Sequence, residues 1–162
     1  MQVTVVTPSF VATLPMLYIK SYDKYEIEKM MFNGDLKVED IPATWNKMMS
    51  DWFGIEVPND SLGCLQDIHW SMGAFGYFPT YTLGNLYAAQ LLETMSSELG
   101  DIDEIVKSGD WSSMLDWLSE KIHAKGSVMT PSELIESATG MAPSPEPFLN
   151  YVEEKYSKLY NL

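Results

Sequence analysis

Between Gly63 and Gln90 the chain reads GCLQDIHWSMGAFGYFPTYTLGNLYAAQ, which crowds a carboxylate, an imidazole and several phenols into one short span. Asp67 stands two residues before His69, a spacing at which a carboxylate can fix an imidazole's tautomer and orientation. Gln66 adds an amide beside them. Gly73 and Gly76 allow the backbone to pass close to a bound group, and Tyr77 and Tyr81 bring hydroxyls able to donate to a developing oxyanion. His69, Tyr81 and Tyr77 are therefore the candidate catalytic residues, and Gln66, Asp67, Gly73 and Gly76 the candidate substrate-binding ones. The same residues also read as architecture: a His beside Asp67 and Trp70 can be a satisfied side chain tying two helices together, and buried Tyr commonly bonds backbone.

The elements that must position this span are helical. Tyr25, Ile27, Met30 and Met31 mark a helix over residues 22–32, which Asn33-Gly34 stops. Asp40 and Pro42 open a second, with Trp45, Met48, Met49 and Trp52 on one face up to Gly54. Asp60 or Ser61 is placed to cap a third, which would present Gln66 and His69. Pro79 opens the longest helix, running to about Leu99 with Leu83, Leu86, Tyr87, Gln90, Leu91 and Met95 as its apolar stripe. Asp101 and Asp110 read as N-caps, Thr130-Pro131-Ser132-Glu133 as a capping box, and residues 146–160 as a final helix. Residues 2–14 are rich in Val and Thr without a helical period. The expected organisation is an irregular or extended segment over 1–15 and a single all-α domain over 16–162.

Composition excludes several classes. The formal charge of −13 leaves no clustered cation surface for phosphates, so nucleic acid is not an expected partner. No apolar run is long enough to cross a bilayer, so no membrane role is expected. The first twenty residues lack a basic leader and carry Pro8 and Pro15, which argues against a secretion signal. Cys64 is the only cysteine, which fits a reducing cytoplasm, and inside an apolar run it reads as a small buried hydrophobe. Cys64, Asp67 and His69 match no tetrahedral metal pattern, so no metal ligand is assigned in this chain. Trp45, Trp52, Trp111 and Trp117, with eleven methionines, could serve as an exposed apolar face that takes a complementary chain or a second copy of this one.

The string Gly63-x-x-Gln66-Asp67-x-His69-Trp70, followed by Phe75-Gly76-Tyr77-Phe78-Pro79-Thr80-Tyr81 and Leu83-Gly84-Asn85, resembles the carboxypeptidase Taq family of zinc metallocarboxypeptidases. The resemblance extends from Tyr25-Glu26-Ile27-Glu28 through Asn33-Gly34-Asp35-Leu36 to Pro147-Phe148-Leu149 and Tyr156. It implies the C-terminal portion of a gluzincin-type helical peptidase that removes single residues from peptide C-termini. In such enzymes a His-Glu-x-x-His helix and a further Glu hold zinc, the helix Glu acts as base, and an Arg grips the peptide's terminal carboxylate. By resemblance, His69 and Tyr81, ahead of Tyr77, would steady the tetrahedral intermediate. This chain holds only His69 and His123, contains no arginine, and has no lysine in that Arg's motif. The resemblance thus implies zinc and a peptide substrate for the intact enzyme, and no activity for this chain by itself.

Overall fold

The computed structural model describes residues 22–162; the irregular segment expected at 1–15 lies outside the described residues. All regular structure among them is helical, with no strand. The chain divides into two compact units, one ending at Thr82 and one from Leu83 to Leu162.

In the first unit, helix α1 spans residues 22–33 and stops at Gly34, whose φ of +81° is the left-handed conformation glycine adopts freely. Its inward stripe is unusual in chemistry: Asp23, Lys24, Ile27 and Glu28 are all buried, so three of the four are ionisable. A 3-10 turn, Val38–Asp40, leads into α2, Ile41–Phe53. Asp40 holds the N-cap position, but its side chain makes no cap hydrogen bond, and Pro42 lies in the first turn as expected. Ile41, Trp45 and Met49 of α2 pack with Ile27 and Cys64 into one apolar core, and Trp70 lies against it. Trp52, expected on the same face, is half-exposed and stacks on Tyr22, with ring centroids 5.2 Å apart.

No α-helix carries Gln66 and His69, contrary to the expectation of a capped helix there. Asn59, not Asp60 or Ser61, caps a short 3-10 turn, Asp60–Leu62, by accepting from the Leu62 N–H at 3.0 Å. Turns follow to a second 3-10 piece, Trp70–Met72, and the chain then reaches α3 at Pro79. Gly63 makes this path possible, because a Cβ there would sit 2.7 Å from the Val57 Cγ1 and 3.5 Å from Trp45.

In the second unit, α3 (Pro79–Leu99) continues past Leu83 and is followed by α4 (Ile102–Ser108), α5 (Ser112–Lys121), α6 (Pro131–Thr139) and α7 (Glu146–Tyr160). Asp101 caps α4 through the Glu104 N–H, and Thr130 with Glu133 closes the reciprocal capping box on α6. Gln90 of α3 is fully buried: its amide N–H groups reach Thr139 Oγ1 and the carbonyls of Met141 and Ala142, and its oxygen accepts from the Ser144 N–H. One side chain thereby satisfies the chain that leaves α6. Glu98 accepts from the Trp117 indole at 2.7 Å and from Lys121 at 3.1 Å, joining α3 to α5.

Candidate functional site

The site lies in the first unit, where the turns after Gly63 bring polar side chains back onto α1 and the start of α3. The Asp67 carboxylate is its centre. One oxygen accepts from the His69 main-chain N–H at 2.8 Å and lies 2.5 Å from His69 Nδ1; the other pairs with Lys24 Nζ at 2.8 Å. Partial burial alone would raise the Asp67 carboxyl, but the hydrogen bonds from Lys24 and His69 outweigh it and hold it down to about 2. Lys24 is itself buried beneath aromatic rings, with Nζ 4.1 Å from the centroid of Phe78 and 5.7 and 5.9 Å from those of Trp45 and Trp70.

His69 passes the arrangement outward. Its Nε2 lies 3.2 Å from the Tyr81 hydroxyl, and its ring packs against Tyr77 and Phe78 at centroid distances of 5.2 and 4.9 Å. Tyr77 meets Tyr81 edge-on at 5.3 Å, and both phenols are about half-exposed. Partial desolvation, then the neighbouring Tyr77 and the negative Asp67, keep the Tyr81 phenol above its ordinary range. A hydrogen-bonded chain therefore runs from a buried ammonium, through a carboxylate and an imidazole, to a phenol at the surface.

The loop that frames it is braced by Glu28. One carboxylate oxygen accepts from the Trp70 indole N–H at 2.8 Å and the other from the Gly76 N–H at 3.0 Å. Gly73 and Gly76 both have φ of +74°, and a Cβ at either would meet nothing within 4 Å. Turn conformation is what requires glycine at these two positions. Gln66 lines an open pocket with Lys24, Trp45, Gly63 and Asp67. The Trp45 indole N–H that belongs to this wall has no hydrogen-bond partner among the described residues. Cys64 is buried and its thiol is pushed up by that burial, in keeping with an inert apolar role.

The structure thus gathers Asp67, His69, Tyr77 and Tyr81, with Gln66 adjacent. Lys24 and Glu28 were not foreseen as members of the site. The signal was present: four residues apart on α1 and flanking Ile27, they put charge on the stripe that periodicity assigns to the core. Among the described residues no three His, Cys, Asp or Glu side chains come close enough to hold a metal ion. The donors present here do not form a zinc site, and His123 lies in the other unit. No helix of the described residues is long and apolar enough to cross a membrane.

Comparison with known proteins places the chain in a family. Residues 22–156 match the carboxypeptidase Taq (M32) metallopeptidase family. Thermostable carboxypeptidase 1 of Thermus thermophilus is 45% identical over 137 residues, which are 85% of this chain and 27% of that protein. Carboxypeptidase 1 of Bacillus subtilis is 42% identical over 139 residues, 86% of this chain and 28% of the relative. Among solved structures, the M32 carboxypeptidase from Deinococcus radiodurans superposes with a TM-score of 0.85 at 34% identity, over 89% of this chain and 29% of that one. Metallocarboxypeptidase 1 of Trypanosoma cruzi gives 0.81 at 41% identity, over 85% and 29%. The chain spans somewhat over a quarter of the length of these relatives, and with its helical fold and matched motif it belongs to the carboxypeptidase Taq (M32) metallopeptidase family.

Proposed function

We propose that this chain is the C-terminal part of a zinc metallocarboxypeptidase that removes single residues from peptide C-termini, and that it supplies one wall of the substrate cleft. The observation that carries this reading is the linked set Asp67, His69 and Tyr81, in which an ionised carboxylate orients an imidazole that in turn holds a half-exposed phenol. Tyr81 is the group of that set that can reach a peptide carbonyl. Tyr77 packs beside it and narrows the space in which it swings, and Gln66 offers an amide next to Asp67. Gly73 and Gly76 shape the loop behind them. A preorganised donor of this type acts most strongly where water is excluded.

Hydrolysis is not assigned to this chain on its own. Its described residues gather no zinc donor set, and the sequence contains no arginine to grip a terminal carboxylate. The arginine would have to come from outside this sequence, and the zinc donors from outside the residues described. The lone buried Cys64 fits a reducing compartment such as the cytoplasm.

A second reading is that the chain is a non-catalytic helical module that binds a peptide or another chain. It draws on the segment from Leu62 to Met72, where Asp67 and His69 turn inward while Leu62, Leu65, Ile68 and Met72 are 57–69% exposed.

Zinc equilibrium dialysis with an assay for released C-terminal amino acids tests the first reading. It predicts less than one zinc per chain and no release. Stoichiometric zinc with turnover would contradict the assignment of the metal site to other residues. A chain that elutes as a monomer at every concentration, and takes up no peptide, would contradict the second reading.

A further inference from the structure

The outward side of α4 and α5, in the second unit, carries apolar side chains where an amphipathic helix places polar ones. Trp117 takes the buried face of α5, whereas Trp111, at its N-cap, and Leu115 are 56% and 57% exposed. The Leu115 N–H bonds to the Trp111 carbonyl at 3.0 Å, so the two stand one turn apart in the same row. Val106, in the last turn of α4, is half-exposed and adjoins them, because the Trp111 indole N–H reaches the Val106 carbonyl across 3.4 Å. Three apolar side chains from two elements thus form one patch at the α4–α5 corner.

The rim of that patch is acidic. Between Asp101 and Glu120 the sequence holds six carboxylates and one lysine, and that lysine, Lys107, is paired with Glu104. Asp103 stands one turn before Val106, Asp110 precedes Trp111, and Asp116 follows Leu115; all three are exposed and form no ion pair among the described residues. The Ser112 hydroxyl and N–H hold the Asp110 carboxyl below its ordinary range, so it is ionised at neutral pH. The exposed apolar segment from Leu62 to Met72 is different, since its one carboxylate, Asp67, is paired with Lys24.

Charge decides what the α4–α5 corner can take. An anionic membrane or a nucleic acid would press phosphates against these carboxylates. A second copy seated on the same patch by two-fold symmetry would set the carboxylates against one another. A cationic amphipathic segment satisfies both features, covering Trp111 and Leu115 with its apolar side while its basic groups reach the rim. We propose that the α4–α5 corner is a docking surface for a lysine- or arginine-rich amphipathic helix of another protein, with Trp111 as the anchor. Tryptophan enclosed by a polar rim is the type of residue on which interface affinity concentrates. The surface lies wholly in the second unit and is independent of the reading given to Asp67, His69 and Tyr81.

The test follows the indole N–H signals of the nitrogen-15-labelled full chain as amidated peptides are added. One peptide has leucines on one helical face and lysines on the other, a second has the same composition in scrambled order, and a third has glutamate in place of every lysine. The first should move the Trp111 signal saturably, less strongly as salt rises, and leave that of Trp52 in the first unit unmoved. Trp111→Ala should weaken its binding by at least about tenfold at an unchanged melting temperature. Should that variant fail to fold, Leu115→Ser decides in the same way. Asp103→Asn combined with Asp116→Asn should weaken binding and flatten its salt dependence, whereas Glu39→Gln combined with Glu56→Gln, exposed carboxylates of the first unit, should do neither. Equal binding of the scrambled or the glutamate peptide overturns the proposal, as does a Trp111 signal that the first peptide leaves in place. A Trp111 signal that moves with protein concentration alone also overturns it, because the occupant is then a second copy of the chain.

Discussion

The Glu28 carboxylate accepts a hydrogen bond from the Trp70 indole across 42 residues of sequence, at 2.8 Å, and this contact fixes the loop on which the candidate site is built. Its second oxygen takes the Gly76 N–H, so a single buried side chain sets both ends of the turn between Trp70 and α3.

Replacing Glu28 by Gln presents an amide NH2 to one of those two donors and so loses one of the bonds. The expected cost is about 1–3 kcal/mol, read as a lower urea midpoint with unchanged slope. A midpoint equal to that of the unmodified chain would show that the brace contributes nothing.

Asp23 and Asp67 give opposite pH dependence. Asp23 is fully buried, neither carboxyl oxygen has a hydrogen-bond partner among the described residues, and burial pushes it up to about 6. Because its folded value lies above its unfolded one, the folded chain holds the proton more tightly. Stability should therefore fall as pH rises from about 4 to about 6 and then level off. Asp23→Asn should remove that decline, raising stability near pH 7 by up to about 3 kcal/mol. Asp67, held down to about 2, contributes stability that is present above about 4 and lost as the pH drops toward 2. Urea melts at pH 3, 5 and 7 separate the two. An Asp23→Asn chain with the same pH profile as the unmodified one would contradict the assignment.

Gly63→Ala and Gly76→Ala should fail for different reasons. The first drives a methyl to within 2.7 Å of Val57 against Trp45, inside the core that Ile27 and Cys64 complete, and should cost about 1–3 kcal/mol through overpacking. The second has open space but a φ of +74°, and should cost about 1 kcal/mol through backbone strain. Thermal melts that rank Gly76→Ala as the more damaging would contradict the packing described around Gly63.

Gln90→Leu keeps the size of the side chain but removes every hydrogen bond to Thr139, Met141, Ala142 and Ser144. The Ala142 carbonyl and the Ser144 N–H would lose the Gln90 amide, while the Met141 carbonyl keeps Thr139 Oγ1, at a cost of about 1–3 kcal/mol in the second unit. Amide exchange should quicken for residues 139–146. Exchange that stays slow there would contradict the anchoring role of Gln90.

Some helix limits were legible from local signals, although Asp110, read as an N-cap, stands one residue before the N-cap position of α5, which Trp111 holds. Pro79 and the Thr130–Glu133 capping box each state their own terminus, and α3 and α6 begin where these residues predict. The stretch from Asp60 to Met72 was read as a helix and is a series of turns, because its path is dictated by distant partners. Asp67 must meet Lys24, Trp70 must meet Glu28, and Gly63 must slip past Val57. Of the site, the Asp67–His69 pairing followed from spacing, whereas the contact of His69 with Tyr81, twelve residues on, was not read from the sequence. The charged stripe on α1 was missed because an amphipathic helix is normally read by its apolar residues, and here Asp23, Lys24 and Glu28 occupy positions that apolar residues usually fill. The expected tryptophan face also divides: Trp45 and Trp117 are buried, whereas Trp52 and Trp111 remain open.

The central claim is that Tyr81, backed by His69 and Asp67, forms a peptide-contacting wall. Titrating the labelled chain with a short peptide bearing a free C-terminus, and following the Tyr81 ring and His69 imidazole signals, tests it most directly. Saturable shifts at both residues that disappear in Tyr81→Phe, while the melting temperature stays unchanged, are the predicted result. Peptide-induced shifts confined to other surfaces, or none at millimolar peptide, would contradict it.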